Sequence, residues 1–199
     1  MRLAVLASGR GTNLMALFAA IESGELPAAI ALVAADREAP ALGWAREQGL
    51  ATFFAPAREL GMAEWERRLL AAMAEAGVEA LVLAGFLRVL SADFVERFPQ
   101  RIINIHPSLL PAFPGLDAIG QALRHGVRVT GVTVHFVDQG LDAGPIILQE
   151  ALPVRPGETR EELEPRVHAI EHRLLPEAAR LVCLGRLRVQ DRSVDIVEG

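Results

Sequence analysis

The sequence contains no lysine and no tyrosine, and its only cysteine is Cys183. A single cysteine excludes an internal disulfide, and its place in the apolar run Leu181-Val182-Cys183-Leu184 reads as core filling rather than redox chemistry. No apolar run approaches the roughly 20 residues of a membrane span. The short apolar start, Leu3 to Ala7, runs straight into a glycine turn, so neither a spanning helix nor a signal sequence is expected. Excess positive charge is missing too: the 20 basic residues, all arginine, stand against 25 acidic ones, for a formal net charge of -5. That excludes the electrostatic footprint of a nucleic-acid binder and requires any anionic ligand to be held locally. A cytoplasmic protein without nucleic-acid or membrane partners is expected, acting as a monomer or a homodimer.

What is present is enough for one large core: 199 residues, 51% of them hydrophobic, a length typical of one domain rather than two. Short apolar runs alternate with longer amphipathic ones. Strands are expected at Leu3 to Ala7, Ile30 to Ala34, Thr52 to Ala55, Leu81 to Ala84, Ile102 to His106, Val132 to Val137 and Ile146 to Ala151. Helices are expected at Thr12 to Glu22, Ala41 to Gln48, Ala63 to Ala76, Asp93 to Phe98, Ala118 to His125 and Glu161 to Leu184, the last with limits blurred by Pro165 and Pro176. This order predicts an α/β fold, a Rossmann-like, mostly parallel sheet with helices on both faces. The last two strands are joined too closely for a helical crossover and are expected to pair antiparallel.

Two strand ends carry chemistry. After the first strand, Ser8-Gly9-Arg10-Gly11-Thr12-Asn13 places two glycines and a capping residue before a helix, a layout that lets backbone amides close on a phosphate. It lacks the third glycine of a dinucleotide motif, where Leu14 stands, and the Gly-Lys-Ser or Gly-Lys-Thr of a P-loop, so a monophosphate fits best. The bland alternative is a tight turn with no ligand. Further on, Asn104-Ile105-His106-Pro107-Ser108-Leu109-Leu110-Pro111 sets an amide and an imidazole two residues apart. With a side-chain period of two, Asn104 and His106 share a strand face and can converge on one substrate atom, while Ile105 turns to the core. Pro107 marks the exit from the sheet, and Leu110-Pro111 is expected to be cis.

A carboxylate partner is sought in the loop Asp138-Gln139-Gly140-Leu141-Asp142-Ala143-Gly144-Pro145, where Asp142 is preferred over Asp138 as the acid able to orient an imidazole. His135 reads as a hydrogen-bonded structural histidine. His106, His135 and Asp142 could be drawn as a metal triad, but no paired ligand spacing supports one, and no metal is expected.

Taken together with Leu83-Ala84-Gly85-Phe86-Leu87-Arg88, Pro114-Gly115 and Leu141-Asp142-Ala143-Gly144-Pro145, these motifs make nearly the whole chain resemble phosphoribosylglycinamide formyltransferase, a folate-dependent family of purine synthesis. The resemblance implies a single formyltransferase domain over residues 1–199, with a phosphate-binding part at about 1–100 and a folate-binding, catalytic part at about 101–199. It implies transfer of a formyl group from 10-formyltetrahydrofolate to the amine of glycinamide ribonucleotide. Asn104, His106 and Asp142 would be catalytic. Gly11, Thr12, Asn13, His168 and Glu171 would hold the ribonucleotide. Leu87, Arg88, Val89, Leu90, Asn104, Val137, Asp138, Gln139, Gly140, Leu141 and Asp142 would hold the folate. The chain departs from the family pattern at Met62, where some members have an arginine for the folate tail that only Arg58 or Arg67 could replace. It departs again at Asp117, in place of a histidine, and at His168, in place of a lysine. Methionyl-tRNA formyltransferase and formyltetrahydrofolate deformylase are similar at the same three catalytic positions but carry extensions that 199 residues do not accommodate. A non-catalytic nucleotide-binding module would need the glycine turn and have no use for the Asn, His and Asp.

Overall fold

The structure, a computed structural model, describes residues 1–197. In chain order the elements are β1 (Arg2–Leu6), α1 (Thr12–Glu22), β2 (Ala29–Ala35), α2 (Pro40–Glu47), β3 (Thr52–Phe54), α3 (Ala57–Leu60), α4 (Met62–Glu75), β4 (Ala80–Leu83) and α5 (Ala92–Val95). They continue as β5 (Ile102–His106), α6 (Ala118–His125), β6 (Val129–Phe136), β7 (Ile146–Pro153), α7 (Arg160–Cys183), β8 (Leu187–Gln190) and β9 (Ser193–Ile196). Seven strands form one sheet in the order β3-β2-β1-β4-β5-β6-β7. The first five run parallel, while β6 pairs antiparallel with both β5 and β7.

The strands of the parallel half are apolar on both faces because helices cover both. In β1, Leu3 and Val5 face a cluster with Leu14, Leu17, Val167 and Leu175 of α1 and α7. Ala4 and Leu6 face the opposite cluster, built on Trp65, Leu69 and Phe94 of α4 and α5. Trp65 stacks on Phe86 at 5.3 Å between ring centroids, tying α4 to the segment that leaves β4. The connection order reverses between β1 and β4, and in open sheets the crevice outside such strand ends is where ligands bind.

Element limits expected from the sequence agree to within a few residues, and the β6–β7 pairing is antiparallel as expected. The Leu110-Pro111 bond is cis. Helix α7 runs through Pro165 and Pro176, and its start is fixed by a capping box in which Thr159 and Glu162 satisfy each other's backbone amides. Three features lie outside the expectation: the short α3, the antiparallel pairing of β6 with β5, and the β8–β9 hairpin, in which β8 alternates between partly buried and exposed positions with Leu187 and Val189 turned to the core. Among the described residues no helix is long and apolar enough to cross a membrane.

Candidate active site

A cleft of about 570 Å3 opens along the ends of β1 and β4 and the side of β5. At one end, Gly11 is the N-cap of α1 with φ of 81°, and no side chain caps the helix among the described residues. Its first amides therefore lack intrahelical partners and face the cleft with the positive end of the helix dipole. Glycine is required here twice over, since a Cβ on Gly11 would lie 2.8 Å from that of Ala41 on α2. Behind the turn, Asn13 Nδ2 donates to Glu171 Oε2 at 3.0 Å, and His168 Nδ1 is 2.8 Å from the same oxygen. The His168 Nε2 also faces a carboxylate, that of Glu164 at 3.4 Å. The hydrogen bond to Glu171 leads the causes that raise the His168 pKa, against an opposing pull from burial. Asn13 Oδ1 is buried and has no partner among the described residues.

At the other end stands the Asn-His-Asp cluster. Asn104 and His106 project from one face of β5, as their spacing predicts, and both meet Asp142. Asn104 Nδ2 donates to Asp142 Oδ1 at 3.3 Å, and His106 Nδ1 lies 3.4 Å from Oδ2. These contacts are longer than ordinary hydrogen bonds, so both donors are only weakly committed. The firm anchor is the Gly115 amide, which donates to Asp142 Oδ2 at 2.7 Å. The other side of the His106 ring is fixed as well, with Nε2 2.8 Å from the Phe113 carbonyl. Both ring nitrogens thus face acceptors, an arrangement that the imidazolium satisfies with two N–H groups.

Burial pushes the Asp142 carboxyl up, but contacts from the His135 ring, the Gly115 amide and the His106 ring together hold it below its ordinary value. Asp142 has φ of 49°, and the facing loop contributes Phe113 at 53° and Asp117 at 59°. Left-handed, non-glycine conformations in two loops that face one cleft are the backbone strain expected where a site is held to shape. Asp117 bridges Arg124 at 2.9 Å and Arg160 at 2.6 Å, which ties this loop to α6 and α7.

Every site residue expected from the sequence lines the cleft except Gln139, whose amide turns away to Glu96 at 2.9 Å. Asp138 accepts from the Gly140 amide at 2.9 Å, the local turn of a loop acid. Arg58, Met62 and Arg67 are absent from the cleft lining, and Arg67 is held by Glu64 at 2.7 Å. His135 is the main addition to the expected set. It lies opposite Asn104 in the β5–β6 ladder, where a bulge interrupts the pairing with β7, and its Nε2 is 3.1 Å from Asn104 Nδ2. Its Nδ1 bonds the Phe136 carbonyl, so the structural bond expected of it exists, but the ring also forms the wall behind the cluster. The signal for it was present: a histidine two residues before Val137 on the strand that leads into the Asp142 loop.

An open helix N-terminus at one end of a cleft, and an amide, an imidazole and a carboxylate gathered at the other, suit a group-transfer enzyme. The chain belongs to the formyl transferase family, whose sequence pattern matches residues 1–179. It is 40% identical to the phosphoribosylglycinamide formyltransferase of Bacillus subtilis over 177 residues, 88% of this chain and 91% of that one. Its fold superposes on glycinamide ribonucleotide transformylase 1 from Symbiobacterium toebii with a TM-score of 0.96 at 45% identity, covering 100% of this chain and 94% of that one. A formyltetrahydrofolate deformylase from Pseudomonas syringae pv. tomato shares the fold at a TM-score of 0.92, with 25% identity and 66% of its chain covered.

Proposed function

We propose that this transferase moves a formyl group from 10-formyltetrahydrofolate to the amine of glycinamide ribonucleotide, in purine synthesis. The observation that carries the reading is the meeting of Asn104, His106 and Asp142 in the same cleft as the open N-terminus of α1. The substrate phosphate is held by the amides of Gly11, Thr12 and Asn13 with His168 nearby. Asn13 Oδ1, without a partner among the described residues, is the acceptor for a substrate N–H or O–H. The folate lies along Leu87, Arg88, Val89 and Leu90 and against Val137, Asp138, Gly140 and Leu141. One domain thus serves both substrates: the first hundred residues supply the phosphate turn, and α7 completes it with His168 and Glu171.

The amine lone pair attacks the formyl carbon, and the carbonyl π electrons move onto oxygen. Asn104 Nδ2 and His106 Nδ1, both loosely held on Asp142, shift to that oxygen as charge builds. Asp142, anionic and close to both, takes a proton from the attacking nitrogen and helps return one to the departing folate nitrogen as the carbon–nitrogen bond breaks. These roles require no metal ion. The same reading places the protein in the cytoplasm, as a monomer or homodimer, with small molecules as its partners. The test follows folate absorbance with and without glycinamide ribonucleotide. Turnover only with the acceptor supports the reading, and turnover without it makes the chain a deformylase.

His168 supplies a second test. A histidine with a raised pKa keeps its cationic form to higher pH, and that form is lost as pH rises through the raised value. Glu171 and then Glu164, both on α7, raise it against burial; His172 of α7 stacks on the ring, and Asn13 of α1 shares the Glu171 carboxylate. At pH 6, replacing His168 by Gln is expected to raise KM for the ribonucleotide about tenfold, the scale of one charge-assisted contact. The gap between parent and variant should narrow with increasing pH. A gap independent of pH would remove the cation from phosphate binding.

A further inference from the structure

Behind the cleft wall, one buried carboxylate takes no part in the chemistry above. Asp36 follows the last residue of β2 and is 1% exposed. Its Oδ1 accepts from Ser8 Oγ at 2.6 Å and, more loosely, from Arg37 Nε at 3.4 Å. Its Oδ2 accepts from Arg88 Nε. Burial pushes this carboxyl up, but Ser8, Arg88 and Arg37 outweigh it, so the group stays anionic. The backbone around it is pinned as well: the Asp36 carbonyl accepts from the Ala57 amide at 3.0 Å, and the Ser8 amide donates to Gly85 at 3.2 Å.

The two strong partners belong to different parts of the cleft. Ser8 immediately precedes the Gly9–Gly11 turn at the mouth of α1, and Arg88 lies in the middle of the Leu87–Leu90 segment. We propose that Asp36 is a positioning residue that ties the phosphate turn to the folate-facing segment, so that one buried carboxylate holds both binding segments in shape. The proposal rests on the function given above, which assigns the two segments to different substrates. Only a carboxylate suits the position, because both of its oxygens accept. An amide there that keeps the Ser8 bond turns its N–H groups on the Arg88 guanidinium.

The experiment measures kcat and both KM values in the parent and in Asp36→Asn, Ser8→Ala, Arg88→Gln and Arg37→Ala. Asp36→Asn is expected to raise KM for ribonucleotide and for formyl-folate about tenfold each, the scale of a lost charge-assisted hydrogen bond, with kcat at saturation changed by less than about threefold. Ser8→Ala and Arg88→Gln each raise KM for the nearer substrate and, through the shared carboxylate, the other KM by about threefold. Arg37→Ala, which removes a half-exposed contact, leaves both unchanged. If Asp36→Asn does not fold, the cross-effects of Ser8→Ala and Arg88→Gln carry the test. An active parent in which Asp36→Asn lowers only Tm, or in which the two single variants act only on their own substrates, overturns the tie. A parent without formyl transfer overturns the function reading, and the tie falls with it.

Discussion

Replacing Asp142 by Asn is expected to lower kcat by a factor of about 100 to 10,000, the range for a positioned acid–base group, while both KM values stay within about threefold. The substitution suits the backbone, because Asn tolerates the left-handed conformation that Asp142 adopts with φ of 49°. It also nearly preserves shape, so the loop is expected to stay in place. What it removes is the charge and one acceptor. The carboxylate now faces Asn104 Nδ2, the Gly115 amide and the His106 ring, all on the donor side. An amide that keeps the Gly115 bond with its oxygen leaves that oxygen facing His106 as well and turns its N–H group toward Asn104 Nδ2. Asn104 then faces a donor in place of an acceptor, the His106 ring faces a neutral oxygen in place of a carboxylate, and the attacking amine loses its base. A second readout follows from the lowered pKa of Asp142. Its contribution to stability is present above the unfolded value of about 3.9 and is lost as pH falls through the folded one, so part of the acid limb of Tm against pH should vanish in the variant. Activity within tenfold of the parent would show that the proton travels by another route.

Much of this arrangement was legible because it is local. The period of two that puts Asn104 and His106 on one face is a property of any strand, and the ends of β5 are fixed by apolar residues and by Pro107. The glycine turn after β1 is equally local. What was not legible depends on the sheet order. That β6 runs antiparallel to β5 as well as to β7 is a fact of the sheet order, although a helix connects β5 to β6, and no periodicity reports it. The same pairing sets His135 opposite Asn104, so its place in the site is a tertiary fact. Asp36 shows the same limit: its two strong partners are 28 and 52 residues away, brought together by neighbouring parallel strands. Gln139 shows the opposite limit: its position in the loop puts it beside the site, while its side chain faces Glu96.

His106→Ala is expected to reduce kcat by about 100 to 1,000, the loss that follows removal of one oxyanion donor. The ring is 5% exposed, so nothing in solvent replaces it. Two effects must be separated, because the imidazole also holds the Phe113 carbonyl at 2.8 Å, in a loop that carries the Gly115 amide to Asp142. Loss of that bond leaves a carbonyl without its partner, at a cost of about 1 to 3 kcal/mol if it stays buried, which would appear as a lower Tm and a raised KM. The chemical effect appears in kcat alone. His106→Gln distinguishes the two: its amide can still donate to Phe113 but brings no positive charge to the developing oxyanion. If charge matters, His106→Gln regains Tm and KM and remains slow. If kcat recovers along with Tm, the imidazole acts only as a strut for the loop, and Asn104 is left as the donor that meets the oxyanion.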